Sequence, residues 1–222
     1  MSISGSVHLN LIGDAWSPAS AAQKNRSPSS HDDLIGLYAQ ANAADVDATV
    51  QAAGAAAPRW WNAGPQVRAD LLDAVGATLL ARKSELGRLL AREEGKTLAE
   101  AIAEVGRAGQ IFKFFAGEAV RLATERLDSV RPDIDVEIFR EPVGVVGIIT
   151  PWNFPIAIPA WKIAPALAFG NTVVIKPADL TTGLGVRLGA DSRRVRLPGR
   201  CFQSCDGPRP RRRERAHRTS WR

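Results

Sequence analysis

Two runs rich in branched aliphatic residues, Val143-Gly-Val-Val-Gly-Ile-Ile149 and Thr172-Val-Val-Ile175, flank an apolar stretch from Ile156 to Phe169. That order constrains the fold more than any other feature of the chain. Strand, buried helix and second strand make one crossover unit of a parallel sheet, because parallel neighbours need a long connection. Both strands are apolar without alternation, as expected when helices cover the two faces of a sheet. Pro151 and Pro155 bracket Trp152-Asn153-Phe154 at the carboxyl end of the first strand, and the second strand delivers Lys176 to the same edge. Ligands of open parallel sheets collect outside the carboxyl ends of the strands, so this edge is the candidate site. Gly170-Asn171 provides a left-handed stop for the intervening helix.

The residues upstream prepare for that unit. Val7 to Ile12 and Leu34 to Ala39 read as short strands of an edge hairpin, separated by a Ser, Pro, Asn and Asp-rich stretch whose composition favours turns. Helices are expected from Asp45, read as a cap for the first turn, with Pro58 ending the first of them. Trp60 and Trp61 read as core anchors. Gly64-Pro65 opens a second helix, with Leu71, Leu72, Val75, Leu79 and Leu80 at helical spacing. Ser84 is the expected cap of a third, which carries Leu86, Leu89 and Leu90 inward. Glu93 and Glu94 at its end point about 100° apart and read as a solvated terminus, not a catalytic pair. Thr97-Leu-Ala-Glu100 is a capping box for the longest helix, with Leu98, Ile102, Val105, Phe112, Phe115 and Ala119 on one stripe. Asp133 to Arg140 then alternates acidic and apolar residues with period two, the mark of a half-exposed antiparallel strand. An apolar face left open in this way makes residues 127–142 a candidate contact with another subunit or domain.

Charge divides the chain at one point. Its net +6 conceals a last forty residues that hold twelve Arg, no Lys and only three acidic groups, so residues 1–182 carry a net −3. The break after Thr182 reads as a shift of reading frame, which makes 183–222 an Arg-rich, disordered, out-of-frame tail. The alternative reading is a basic arm for nucleic acid phosphates, from Arg209 to Arg218 with Trp221; the frame shift is preferred. Cys201 and Cys205, with His217 beyond, lack a second ligand pair at zinc-binding spacing, so no metal site is expected. No charged-then-apolar leader occupies Met1 to Trp16, and no apolar run approaches the roughly 18 residues of a membrane span. The expectation is a soluble chain in a reducing, cytoplasmic setting.

The glycines do not form a dinucleotide fingerprint. Gly144 and Gly147 lie within a strand, and Gly183, Gly185 and Gly189 miss the required spacing by one position.

Glu141-Pro-Val-Gly-Val-Val-Gly-Ile-Ile-Thr-Pro-Trp-Asn-Phe-Pro155, followed by Trp161-Lys-Ile-Ala-Pro-Ala-Leu-Ala-Phe-Gly-Asn171 and Val174-Ile-Lys-Pro-Ala-Asp179, resembles the aldehyde dehydrogenase superfamily. Glu94-Gly-Lys-Thr97 and the Trp60-Trp61 pair support the resemblance, which runs from about residue 7 to Thr182 and is nearest in character to the 2-oxoglutarate-semialdehyde type. It implies an α/β fold in which a helical N-terminal region (1–126) and an oligomerisation-type strand (127–142) lead into the start of a Rossmann-like parallel sheet (143–182), which the chain leaves incomplete. It implies further that Asn153 donates to the oxyanion, that Lys176 and Asp179 hold the adenosine ribose of NAD or NADP, and that Thr150 and Trp152 line the cofactor cleft. Phe154 would flank the path of the aldehyde substrate, and Lys162 falls on a lysine typical of the family or serves as a core cation. Glu is common in the family where Asp179 stands, which leaves NAD versus NADP open.

In such enzymes a cysteine thiolate attacks the aldehyde, hydride passes to the cofactor, and a glutamate activates the water that hydrolyses the thioester. The resemblance places that cysteine in Gly-Gln-x-Cys and the glutamate in Glu-Leu-Gly-Gly. Neither string occurs among the 222 residues, so the expectation is a chain without the nucleophile and without activity of its own.

Overall fold

The structure, a computed structural model, describes residues 7–13, 15–18, 21–194 and 202–204. In chain order the elements are β1 (Val7–His8), β2 (Asn10–Ile12), β3 (Ala15–Ser17), β4 (Ala21–Ser27), β5 (Ser30–Gln40), α1 (Ala43–Asn62), α2 (Pro65–Ala81), α3 (Lys83–Glu94), α4 (Leu98–Ala119), β6 (Glu125–Asp128), β7 (Asp135–Ile138), β8 (Val145–Ile149), α5 (Ala157–Ala168), β9 (Thr172–Lys176), α6 (Thr182–Arg194) and β10 (Phe202–Ser204). β8 and β9 pair in parallel, Val145 with Thr172 through Ile149 with Lys176, across α5. This is the crossover expected from the two apolar runs, and the α/β class holds. The main sheet has the order β3-β2-β10-β9-β8, with a separate β1-β5-β4 sheet and a β6-β7 ribbon. β9 lies inside and is buried almost throughout, whereas β8 is an edge strand on which Gly147 and Ile149 are exposed. Cover on both faces, expected from the composition of the two strands, is therefore realised for β9 only.

Local signals explain several helix ends, with three corrections. Pro65 stands at the start of α2, and the Thr97–Glu100 capping box opens α4. Gly170, at φ 83°, ends α5 while its N–H and that of Asn171 return to Leu167 and Ala166. Asp45 is not the cap of α1. Asn42 holds that place, accepting from Ala44 N at 2.7 Å and Asp45 N at 3.1 Å, and Asp45 closes a capping box from the third helical position. Nor does Pro58 end α1, which continues to Asn62. A proline inside a helix costs about 3 kcal/mol, offset here because the turn beyond it buries Trp60, whose indole N–H donates to Leu167 O at 3.0 Å. Ser84 makes no cap; α3 begins at Lys83 without a side-chain cap, where Arg82 pairs with Glu85 instead.

The stretch expected to be turns, Ser17 to Asp33, is largely strand, because β4 and β5 pair from Ala21–Gln40 to Ser27–Ser30 with a bulge near Arg26. Disorder was expected from residue 183, yet α6 covers Thr182–Arg194, and β10 lies parallel to β9 with Phe202 opposite Val173. Leu184 and Leu188, one helical turn apart, are both fully buried. Their spacing carries the packing information that the arginine count hides. Cys201, Cys205, His217 and the run Arg209 to Arg218 lie outside the described residues.

The core forms where α2, α4 and α5 meet, around Leu72, Leu79, Val105, Phe112, Ile163 and Leu167. α2 and α4 approach so closely that a Cβ on Gly109 would stand 2.8 Å from Leu80 Cγ and 3.0 Å from Gly76 O. Alanine favours a helix interior by about 1 kcal/mol over glycine, but here overpacking outweighs it. Gly109→Ala is expected to destabilise the chain by about 1–3 kcal/mol, read as a lower urea midpoint; a raised midpoint would contradict this packing.

Candidate functional site at the carboxyl ends of two parallel strands

The turn between β8 and α5 is held from outside. α5 has no side-chain cap of its own. Instead Glu104, buried on α4, accepts from Ile156 N at 3.1 Å and Ala157 N at 3.2 Å through Oε1. These are among the orphan donors that every helix start must satisfy. The other oxygen of Glu104 accepts from Lys96 Nζ at 2.6 Å, and the same ammonium pairs with Glu94 Oε2 at 2.9 Å. It also reaches Asn153 O at 3.4 Å and stands 4.8 Å above the ring of Phe154. Burial opposes the charge on Lys96, but its hydrogen bonds to Glu104 and Glu94 prevail and hold its pKa above the usual lysine value. One buried glutamate and one lysine thus fix the backbone that presents Asn153.

The candidate residues then fall into two groups. Thr150 is buried at the end of β8, and its N–H donates to Lys176 O at 3.3 Å, tying together the two strand ends. Lys176 is buried too and donates to Pro177 O at 2.9 Å and to the carboxylate of Asp179. Trp152, Asn153 and Phe154 occupy the adjoining turn and are exposed. Lys162 is exposed on α5, so its reading as a core cation is corrected. A cleft of about 510 Å³ lined by Glu118, Arg121, Arg140 and Phe169 lies at the opposite end of α5, beside the β6-β7 ribbon.

Glu93 departs from the expectation. It is 3% exposed, not a solvated terminus, and accepts from Asn25 Nδ2, from Gly183 N at 2.8 Å and from Leu184 N at 3.2 Å. Burial pushes its carboxyl up to about 8, against the opposing pull of the two backbone N–H groups. The available signal was the first turn of a helix starting at Thr182, whose free N–H groups need acceptors.

Among the described residues, no three His, Cys, Asp or Glu side chains are grouped to hold a metal, and no helix is long and apolar enough to cross a membrane. Residues 16–215 match the model of the aldehyde dehydrogenase family.

The chain belongs to the aldehyde dehydrogenase family.

The match passes Thr182, where the resemblance was expected to end, and takes in α6 and β10. Alpha-ketoglutarate semialdehyde dehydrogenase of Haloferax volcanii is 37% identical over 201 residues, which are 90% of this chain and 42% of that protein. Alpha-ketoglutaric semialdehyde dehydrogenase of Bacillus subtilis is 36% identical over 204 residues, 91% of this chain and 42% of the relative. The crystal structure of an NAD-dependent aldehyde dehydrogenase from Sinorhizobium meliloti superposes with a TM-score of 0.93 at 31% identity, covering 97% of this chain and 44% of its own. An NADP-dependent enzyme from E. coli gives 0.89 at 31% identity, covering 91% and 42%. The chain therefore spans about two fifths of the length of these relatives.

Removing the carboxylate that holds the turn leaves buried donors and an ammonium without their partner. Glu104→Ala is expected to lower stability by about 3–5 kcal/mol. Asp73→Ala, which breaks the exposed Asp73–Lys113 pair, is expected to cost less than about 1 kcal/mol. Urea denaturation of the two variants compares them directly, and equal losses would contradict the role given to Glu104.

Proposed function

We propose that this chain carries the adenosine-ribose side of the cofactor site and the oxyanion donor of an NAD(P)-dependent dehydrogenase acting on an aldehyde or semialdehyde. The observation that supports the reading best is the meeting of Thr150, Lys176 and Asp179 at the carboxyl ends of two paired parallel strands, beside a turn whose backbone is pinned by Glu104. An ammonium next to a carboxylate offers a donor and an acceptor to the vicinal hydroxyls of a ribose, so these residues fit the adenosine half of NAD or NADP. When bound, the cofactor supplies the hydride acceptor. Trp152 lines the cofactor cleft and Phe154 flanks the approach of the aldehyde. The side-chain amide of Asn153 donates to the oxygen on which negative charge develops, where a fixed donor is most effective. Relatives named for alpha-ketoglutarate semialdehyde favour a semialdehyde that also bears a carboxylate.

The 222-residue chain does not complete the reaction. Its cysteines lie in Gly-Arg-Cys-Phe-Gln-Ser-Cys-Asp, outside the family's nucleophile string, and no Glu-Leu-Gly-Gly is present. Purified chain incubated with NAD or NADP and a panel of aldehydes and semialdehydes is expected to give no absorbance rise at 340 nm, roughly the reduced nicotinamide maximum. Turnover that co-purifies with the chain and is absent from a mock preparation would refute this.

The β6-β7 ribbon is the proposed self-association surface. Leu127, Val136, Ile138 and Phe139 are all well exposed on it, and open strand edges with apolar side chains recruit further strands. Sedimentation velocity is expected to show a discrete oligomer that Val136→Lys with Ile138→Lys converts to monomer. A wild-type monomer, or an oligomer indifferent to both changes, would remove this surface from the account.

A further inference from the structure

The loop between β9 and α6 carries Asp179, and it is pinned at both ends. At one end β9 is locked into the sheet by its pairing with β8. At the other, Gly183 N and Leu184 N both donate to the buried Glu93 carboxyl group, which also accepts from Asn25 on β4. Between these points Thr181 N bonds to Ala178 O at 3.1 Å, and the Thr182 hydroxyl lies 3.3 Å from both Ala178 O and Asp179 O. Glu93 and Gly183 are fitted to each other, because a Cβ on Gly183 would stand 2.5 Å from Glu93 Oε1 and 2.5 Å from the Tyr38 hydroxyl. The inward Leu184 and Leu188 complete the seat of α6. A carboxyl group at a helix start satisfies N–H groups that have no partner within the helix.

We propose that Glu93 is a positioning residue for the cofactor edge: by holding the first N–H groups of α6 it fixes the Pro177–Thr182 loop and so sets Asp179 beside Lys176. This rests on the reading of Lys176 and Asp179 as the ribose-binding pair. The partners of Glu93 are Asn25, Gly183 and Leu184, so it acts on Asp179 through the loop.

Two substitutions break the same contact from opposite sides. Glu93→Gln keeps the shape but leaves one acceptor oxygen for donors that now share two. Gly183→Ala drives a methyl group into the carboxylate. Hydrogen exchange over residues 177–190 should accelerate by about tenfold in either variant, with α2 and α4 unchanged. The double variant should show less than the product of the single effects, because one contact is lost twice.

Binding of AMP against 2′,3′-dideoxy-AMP reads the function. The full chain should prefer AMP, and Glu93→Gln should erase that preference while leaving the affinity for the dideoxy compound unchanged. If exchange over 177–190 is unaltered by Glu93→Gln, or rises equally in α2 and α4, the positioning role is overturned. If the unsubstituted chain does not distinguish the two nucleotides, the ribose assignment falls instead, and exchange at Gly183 and Leu184 alone decides whether Glu93 seats the loop.

Discussion

A buried glutamate on one helix, aimed at the unpaired N–H groups of another, sustains the candidate edge of this chain. Glu104, on α4, holds the start of α5 and with it the turn that presents Asn153. Glu93, on α3, does the same for α6. α5 has no side-chain cap of its own. The helical N-terminal region is therefore more than a cover for the sheet, because it supplies the polar partners without which two crossover helices would begin with buried, unsatisfied donors. Such donors cost more to leave unpaired than an average hydrogen bond contributes.

This arrangement also explains how a turn rich in exposed aromatic residues keeps a definite shape. Trp152 and Phe154 are about half exposed and make little packing of their own. Their backbone is set by Glu104 below and by Lys96, which meets Glu104, Glu94, Asn153 O and the face of Phe154 at once. The two strand ends are joined independently by the bond from Thr150 N to Lys176 O. The strand ends that carry Lys176 and Asp179 and the turn that carries Asn153 are thus built separately, and each is anchored in a different part of the helical body.

The sequence was legible where a signal is local. Two apolar runs with a helix between them define the parallel pair, Thr97 and Glu100 define a helix start, and Gly170-Asn171 defines a helix end. It was illegible where the deciding partner is distant. Glu93 looked like a solvated helix end because its donors lie about ninety residues away. Pro58 looked like a stop because the burial of Trp60 that carries α1 past it depends on Leu167. The arginine content of the last forty residues obscured the Leu184–Leu188 spacing, which needs the rest of the fold before it has anything to pack against. Thr150, Lys176 and Asp179 lie together at one sheet edge, but the glutamates that hold their surroundings belong to no short motif.

Titration of the isotopically labelled chain with NAD, followed by backbone amide and indole chemical shifts, tests the placement of the cofactor edge most directly. The account predicts shifts at Thr150, Trp152, Lys176 and Asp179 that saturate together. Silence at those positions, with shifts confined to the cleft lined by Glu118 and Arg140 at the far end of α5, would contradict it.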